Sequence, residues 1–133
     1  MMHEYAVESR VREEMIDVTA LVQKAVSDSE LDSGLAFCFV PHTTAAITIN
    51  EDADPDVKRD ILYKLAKEIP QDDAYRHTEG NSDAHIKASL IGASELVAFE
   101  NKQLLLGRWQ GIYFCEFDGP RRRRLIIRVG SFA

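Results

Sequence analysis

The chain has 133 residues, of which 45% are hydrophobic and 29% charged, and its formal net charge is −6 at pH 7. These values predict one globular domain over residues 1–133 and disfavour nucleic-acid binding, because that affinity depends on neutralising many phosphates. No apolar run approaches the roughly 20 residues of a membrane span, and the N-terminus shows no signal-peptide pattern, so we expect a cytoplasmic protein without a membrane partner.

The first elements follow from apolar spacing and capping residues. Residues 4–15 mix apolar and charged side chains and predict a solvent-facing strand. A helix should follow, with Asp17 or Thr19 as its N-cap and an end near Ser27–Ser29. Gly34 then opens the strand LAFCFV.

The middle of the chain carries the clearest helix signals. After the strand TAAITIN, Asp54 is a suitable N-cap and Pro55 suits the first helical position. Apolar residues then recur at helical spacing until Pro70. A shorter helix is predicted from Ser82 to Ile91.

The remainder indicates strands, with turns at Asn101–Lys102 and at residues 118–120. The strands predicted are ELVAFE, QLLLG, RWQGIYFCEF and RRLIIRVG. Because short turns join them, we expect antiparallel hairpins with two or three helices, an α+β fold. Cys38 and Cys115 lie in apolar strands and are interpreted as small buried thiols rather than a disulfide.

Four consecutive arginines, Arg121–Arg124, are interpreted as the start of an alternating strand. Two would face solvent or a neighbouring subunit, and two could pair with acids. The consecutive apolar residues Leu125, Ile126 and Ile127 predict that this strand is covered on both faces, by a helix or by another subunit.

Three histidines lie in polar, turn-rich segments, which is unusual for core residues. His42 precedes the strand TAAITIN, and His77 and His85 flank the loop TEGNSDA. Spacing alone leaves a structural role for them open. Neutral imidazole is nevertheless a good ligand for zinc, and three protein ligands with a fourth position open describe a catalytic metal site. Four carboxylates near these segments could act as base or hold a ring N–H: Glu51, Asp52, Glu79 and Asp83.

The stretches PHTTAAITINEDADPDVKRD, YRHTEGNSDAHIKASLIG and GRWQGIYFCEFDGPRRR resemble the YjbQ family, whose members are often labelled secondary thiamine-phosphate synthases. This resemblance covers nearly the whole chain. It implies an α+β fold with a β-sandwich-like body, a homotrimer, and a site built around the three histidines. Carried over residue by residue, it also places near that site Glu51, Glu79–Gly80, Trp109 and Gln110.

Further candidates for substrate binding follow from side-chain chemistry. Trp109 could offer an aromatic face to a pyrimidine or thiazole ring, although a core tryptophan before a bulge glycine is the simpler interpretation. Arg76, Lys87 and Arg108 could hold a phosphate near the histidines, although each alone is more typical of a solvated surface base.

Three functions remain open on the sequence. The resemblance favours a transferase that joins hydroxymethylpyrimidine diphosphate and thiazole phosphate and releases pyrophosphate. However, the chain has no glycine-rich phosphate loop and no obvious acidic magnesium pair. The alternatives are a metal-dependent hydrolase or isomerase of another small metabolite, with thiamine-phosphate synthesis as a side activity, and a non-catalytic metal- or ligand-binding trimer. The cofactor expected is a divalent metal, most simply zinc.

Overall fold

The computed structural model describes residues 2–131, which form eight strands and three helices. The strands are β1 (Met2–Glu8), β2 (Glu14–Asp17), β3 (Gly34–Phe39), β4 (Ala45–Glu51), β5 (Ser94–Glu100), β6 (Gln103–Leu104), β7 (Gln110–Glu116) and β8 (Arg122–Gly130). The helices are α1 (Thr19–Asp28), α2 (Pro55–Glu68) and α3 (Ser82–Ile91). None of these helices is long and apolar enough to cross a membrane.

The strands form two antiparallel sheets. The larger has the order β1-β8-β3-β5-β6, and the smaller has the order β2-β7-β4. Together with the three helices, they confirm a single α+β domain.

Two apolar clusters place the smaller sheet in the middle of the molecule. The main cluster joins α1 and the inner faces of both sheets through residues such as Val22, Ile127 and Phe114. The second packs α2 and α3 on the other face of the smaller sheet, around Tyr113 and Cys115. Strand β7 is therefore buried on both faces, as its almost continuous apolar sequence requires.

Within residues 2–131 no helix covers the second face of strand β8, so of the two predicted covers only another subunit stays a prediction. The inward side chains of β8, among them Leu125 and Ile127, are fully buried, whereas Arg124 and Arg128 on the other face are exposed. Within one chain, the outer face of the larger sheet thus stays open.

That open face carries large apolar side chains on neighbouring strands. Phe37 and Phe39 of β3 are 39% and 38% exposed, and Leu96 of β5 is 58% exposed. Phe37 pairs directly with Leu96, and Phe39 pairs with Ile126 of β8. We call Phe37, Phe39, Leu96 and Ile126 the outer apolar face.

The three predicted helices are confirmed, although the N-cap of α1 is Val18, without a side-chain cap, rather than Asp17 or Thr19. A side-chain oxygen of Asp54 accepts a hydrogen bond from the N–H of Asp56 at 2.9 Å, and Pro55 begins α2. Helix α3 covers Ser82–Ile91 and ends at Gly92, whose positive φ of 102° suits glycine.

The strand predictions were less accurate at their ends. The single strand expected over residues 4–15 is two strands on different sheets, separated by a loop at residues 9–13. The QLLLG strand is only the two residues of β6, and β7 begins at Gln110 rather than at Arg108. The turn at Asn101–Lys102 is confirmed, with φ values of 51° and 61°.

Candidate functional site

The three histidines singled out from the sequence line one cavity of about 710 Å³. His42 comes from the loop between β3 and β4, His77 from the segment before α3, and His85 from α3 itself. Arg121 and Arg123, at the start of β8, line the same space. We call it the histidine cavity.

His42 is held by the backbone of β8. Its Nε2 accepts a hydrogen bond from the N–H of Arg124 at 2.9 Å. Arg124 lies two residues before Ile126, the β8 residue that pairs with Phe39 at the end of β3. Burial lowers the pKa of His42, and the nearby charges of Arg123 and Arg124 lower it further. The ring is therefore neutral, and because Nε2 is the acceptor, its proton lies on Nδ1.

His77 and His85 lie against each other. Their ring centroids are 5.5 Å apart in an edge-to-face arrangement, with an interplanar angle of 85°. The Nε2 of His77 also lies 3.4 Å from Oε1 of Glu79, which lines the cavity as well. A carboxylate at this distance can hold the ring and exchange a proton with it.

Buried charges fix the helix that carries His85. Asp83, with no exposed side-chain surface, accepts hydrogen bonds from Arg12 at 3.0 and 3.1 Å and from Lys87 at 3.0 Å. Lys87 also donates to Glu13 at 2.7 Å. These bonds tie α3 to the loop between β1 and β2. Burial opposes the ionisation of Asp83, but the bonds from Arg12 and Lys87 outweigh it and lower the pKa of its carboxyl.

The expectation that Lys87 holds a phosphate is therefore wrong. Its side chain is 1% exposed, and its ammonium is bonded to two carboxylates. A fully paired buried ammonium is not free to bind a ligand. Its role is to hold α3.

A second buried pair lies beside the histidine cavity and was only partly predicted. Nε of Arg123 donates to Oε1 of Glu116 at 2.9 Å, and its Nη2 donates to Oγ1 of Thr44 at 2.8 Å. Glu116 also accepts from Ser9 and from the N–H of Asp118, at 2.7 and 3.0 Å. The expected alternation is confirmed only from Arg122 onwards, since Arg123 points inward and Arg122 and Arg124 point outward. Arg121 lies before the strand and is exposed, so only one of the four arginines points inward.

Four other predicted site residues, Glu51, Arg108, Trp109 and Gln110, lie at the opposite end of the smaller sheet. Ala45, near His42, pairs with Glu116, whereas Glu51 pairs with Gln110. Ala45 and Glu51 are six residue steps apart along β4, which is about 20 Å. Within one chain, Glu51, Trp109 and Gln110 are therefore not brought to the histidines.

Trp109 is also not the core residue that the simpler interpretation required. It is 53% exposed in the turn before β7, and the guanidinium of Arg108 lies 4.7 Å from its ring centroid. Arg108 thus belongs to this distant group as well. Gln110 is engaged locally, because its Oε1 accepts from the N–H of Gly107 at 2.7 Å.

Arg76 lies in a second space beside the histidine cavity. This side cavity, of about 400 Å³, is lined by Tyr75, Arg76, His77, Ser82, His85 and Ile86. His77 and His85 also line the histidine cavity, so the two spaces meet at these rings.

The histidine cavity offers donors that suit a metal, although they are not assembled around one point. Imidazole nitrogens and the Glu79 carboxylate are ligands that zinc accepts. In residues 2–131, however, no three side chains of metal-binding type lie close enough to share an ion. His42 uses its Nε2 to cap β8, so it could ligate through that atom only after rotating. His77 and His85 are already in contact, whereas His42 would have to turn away from Arg124 to join them.

Similar proteins cover nearly the whole chain. The family described as UPF0047 protein YjbQ-like matches residues 3–131. The UPF0047 protein MJ1081 of Methanocaldococcus jannaschii is 49% identical over 97% of this chain and 94% of its own length. The UPF0047 protein YugU of Bacillus subtilis is 48% identical over 97% of this chain and 98% of its own.

Solved structures agree with the fold. An uncharacterised YjbQ/UPF0047 protein of Clostridium acetobutylicum is 54% identical, with a TM-score of 0.95 over 96% of this chain and 99% of that one. A YbjQ-like protein of unknown function from Sulfolobus solfataricus is 29% identical, with a TM-score of 0.94 over 98% of this chain and 96% of that one.

Proposed function

Because the chain belongs to the YjbQ-like UPF0047 family, we propose that it is a small-molecule enzyme whose active site is the histidine cavity. One observation carries the proposal: three histidines from separate segments line the same space. These polar rings come from a loop, an irregular segment and a helix, and they contribute little to the apolar core. Their shared position therefore supports a site rather than a packing role.

The residues of the cavity have distinct roles in this proposal. His42, His77 and His85 would hold a divalent metal, zinc in the first place, which supplies Lewis-acid activation of a bound water or substrate oxygen. Glu79 is the general base, because it lines the cavity and lies beside His77. Glu51 cannot take this role within its own chain, since it lies at the far end of β4.

The reaction that the family resemblance suggests is thiamine-phosphate synthesis from hydroxymethylpyrimidine diphosphate and thiazole phosphate. A second candidate is metal-dependent hydrolysis or isomerisation of another small phosphorylated or heterocyclic metabolite. The positions of the cations favour this second candidate. Lys87 is buried and paired, and Arg108 is stacked on Trp109 away from the cavity, so two of the three cations expected to stabilise a diphosphate are missing there.

The test is a set of variants assayed for zinc content, melting temperature and thiamine-phosphate formation. Replacing His42, His77 or His85 by alanine should abolish both the zinc content and the activity of the protein. Glu79→Gln should keep zinc and lower turnover about 10²–10⁴-fold. Glu51→Gln, the same change outside the cavity, is the matched control and should behave as wild type.

Full activity combined with lower stability in the histidine variants would show that the rings are structural. If the wild-type protein forms no thiamine phosphate but hydrolyses a simple phosphomonoester in a histidine-dependent manner, the second candidate replaces the first. Zinc binding without either activity would indicate a non-catalytic binding protein.

We further propose that the enzyme assembles as a homotrimer, as the resemblance suggests. The outer apolar face supports self-association, because neighbouring exposed apolar side chains mark interaction surfaces. Light scattering of the dilute protein should give three times the chain mass of 15.0 kDa, and Phe37→Glu should dissociate it. A stable wild-type mass equal to one chain would exclude the trimer.

A further inference from the structure

The segment 70–81, between α2 and α3, carries His77 and Glu79 into the wall of the histidine cavity. Within residues 2–131, all but one of its side-chain hydrogen bonds stay inside the segment. An example is the bond from Nε2 of Gln71 to the carbonyl oxygen of Gly80 at 3.0 Å. The contact that joins the segment to the rest of the chain therefore helps to set the positions of His77 and Glu79.

That contact is made by Asn81. Its Nδ2 donates to Oδ2 of Asp118 at 2.8 Å, and both residues line the histidine cavity. The same Oδ2 accepts a hydrogen bond from Nη2 of Arg121 at 2.8 Å. Because a carboxylate oxygen accepts from an N–H and repels an amide oxygen, the orientation of the Asn81 amide is fixed.

Asn81 makes this contact instead of the one that its position favours. It is the N-cap residue of α3, where asparagine is among the best choices, yet its side chain caps no backbone N–H. Its Oδ1, the atom that would cap, is enclosed and has no hydrogen-bond partner among the residues that the structure describes. Both features cost stability, and such local exceptions are typical of functional sites.

The bond from Asn81 continues toward the part of the wall that carries His42. The N–H of Asp118 donates to Oε2 of Glu116 at 3.0 Å. Glu116 belongs to the second buried pair, which reaches Thr44, two residues after His42. A continuous series of hydrogen bonds therefore joins the two parts of the chain that supply the histidines.

We propose that Asn81 is a positioning residue of the histidine cavity. Through Asp118 it holds the segment 70–81 in place, and His77 then faces the same space as His42. This inference rests on the proposed function in treating the histidine cavity as the active site. It adds a residue that acts on the site through the position of its ligands.

The first measurement is the NMR spectrum of the histidine rings in the whole, metal-free chain, at a pH where the rings are neutral. Asn81→Ser keeps a good N-cap residue but is too short to reach Asp118. It should shift the ring signals of His77 and His85, because their edge-to-face contact depends on where the segment lies. Gln71→Ala, which removes a hydrogen bond inside the same segment, is the matched control and should leave these signals unchanged.

The second measurement is the zinc affinity, determined by competition with a chelator. Asn81→Ser should weaken zinc binding about tenfold, the lower end of the effect of replacing residues that orient metal ligands. Asp118→Ala should weaken it at least as much, because this change also releases Arg121. The double variant should bind zinc no more weakly than Asp118→Ala alone, since both changes break the same bond. Melting temperatures should show that all these variants remain folded.

The inference is overturned if Asn81→Ser leaves the ring signals of His77 and His85 unmoved, or if Gln71→Ala shifts them as much. It is also overturned if the losses of zinc affinity add in the double variant, because Asn81 would then not act through Asp118. A wild-type protein that binds no zinc would instead count against the proposed function. The ring signals would still decide the role of Asn81.

Discussion

Replacing Glu116 by Gln should destabilise the protein strongly. The change keeps the size of the side chain and removes its charge, so the fold loses little packing. Arg123, whose side chain is 5% exposed, would then be a buried cation without its counter-ion. The contacts of Glu116 with Ser9 and with the N–H of Asp118 would weaken too, because an amide is a poorer acceptor than a carboxylate.

The size of the effect follows from burial. Breaking a buried, hydrogen-bonded ion pair by removing one partner costs about 3–5 kcal/mol, because the remaining charge is left in a low-dielectric interior. A domain is stable by only about 5–15 kcal/mol in total, so the variant should unfold far more easily. Arg122→Ala, on the exposed face of the same strand, should cost less than about 1 kcal/mol.

Urea unfolding at neutral pH and fixed protein concentration, followed by circular dichroism, measures both free energies. A Glu116→Gln variant within about 1 kcal/mol of wild type, or no more destabilised than Arg122→Ala, would refute the view that this pair holds β7 to β8 beside the histidine cavity.

Three other predictions concern different groups of the protein. Burial alone would raise the pKa of Glu116, but the hydrogen bonds from Arg123 and Ser9 outweigh it and lower that pKa. The stability that the Glu116 carboxylate provides is therefore complete above its ordinary pKa and is lost as pH falls through the lower pKa of the folded state. Between neutral pH and about pH 3, the free energy of unfolding should fall more in wild type than in Glu116→Gln, and an equal fall in both proteins would contradict this. Asp83→Asn should cost about 3–5 kcal/mol in urea unfolding by leaving Lys87 with one partner, and a loss below about 1 kcal/mol would count against the buried anchor of α3. Burial raises the pKa of Cys38 and of Cys115 to about 12 each, so neither thiol should react with a thiol reagent at neutral pH until denaturant is added; rapid labelling of the native protein would show otherwise.

Local signals in the sequence were sufficient to predict the helices. Asp54 and Pro55 fixed the start of α2, and Gly92 marked the end of α3, because capping and proline geometry act over a few residues. The strands were harder, since their ends depend on partners far away in the chain. The loop at residues 9–13, which divides β1 from β2, follows from pairing with β8 and β7 on different sheets.

The candidate site was predictable where residue chemistry was unusual for its setting. Histidines in polar segments indicated a shared location, and the structure places all three on one cavity. Glu51 was expected near His42 because the two residues are close in the sequence, but strand β4 lies between them and its two ends are about 20 Å apart. Lys87 misled for another reason. Its i,i+4 pairing with Asp83 could be expected from the predicted helix, but its burial and its contact with the distant Glu13 are visible only in three dimensions. The second buried pair could have been predicted from strand alternation, because Arg123 lies on the same face of β8 as the apolar residues Leu125 and Ile127.

The most direct measurement is anomalous diffraction at the zinc edge from crystals of the protein grown with zinc. We expect an anomalous peak in the histidine cavity, bonded to His77 and His85, with the His42 ring turned from Arg124 toward the ion. Absence of a peak there, or zinc bound only at surface carboxylates, would contradict the claim that these three histidines form a catalytic metal site.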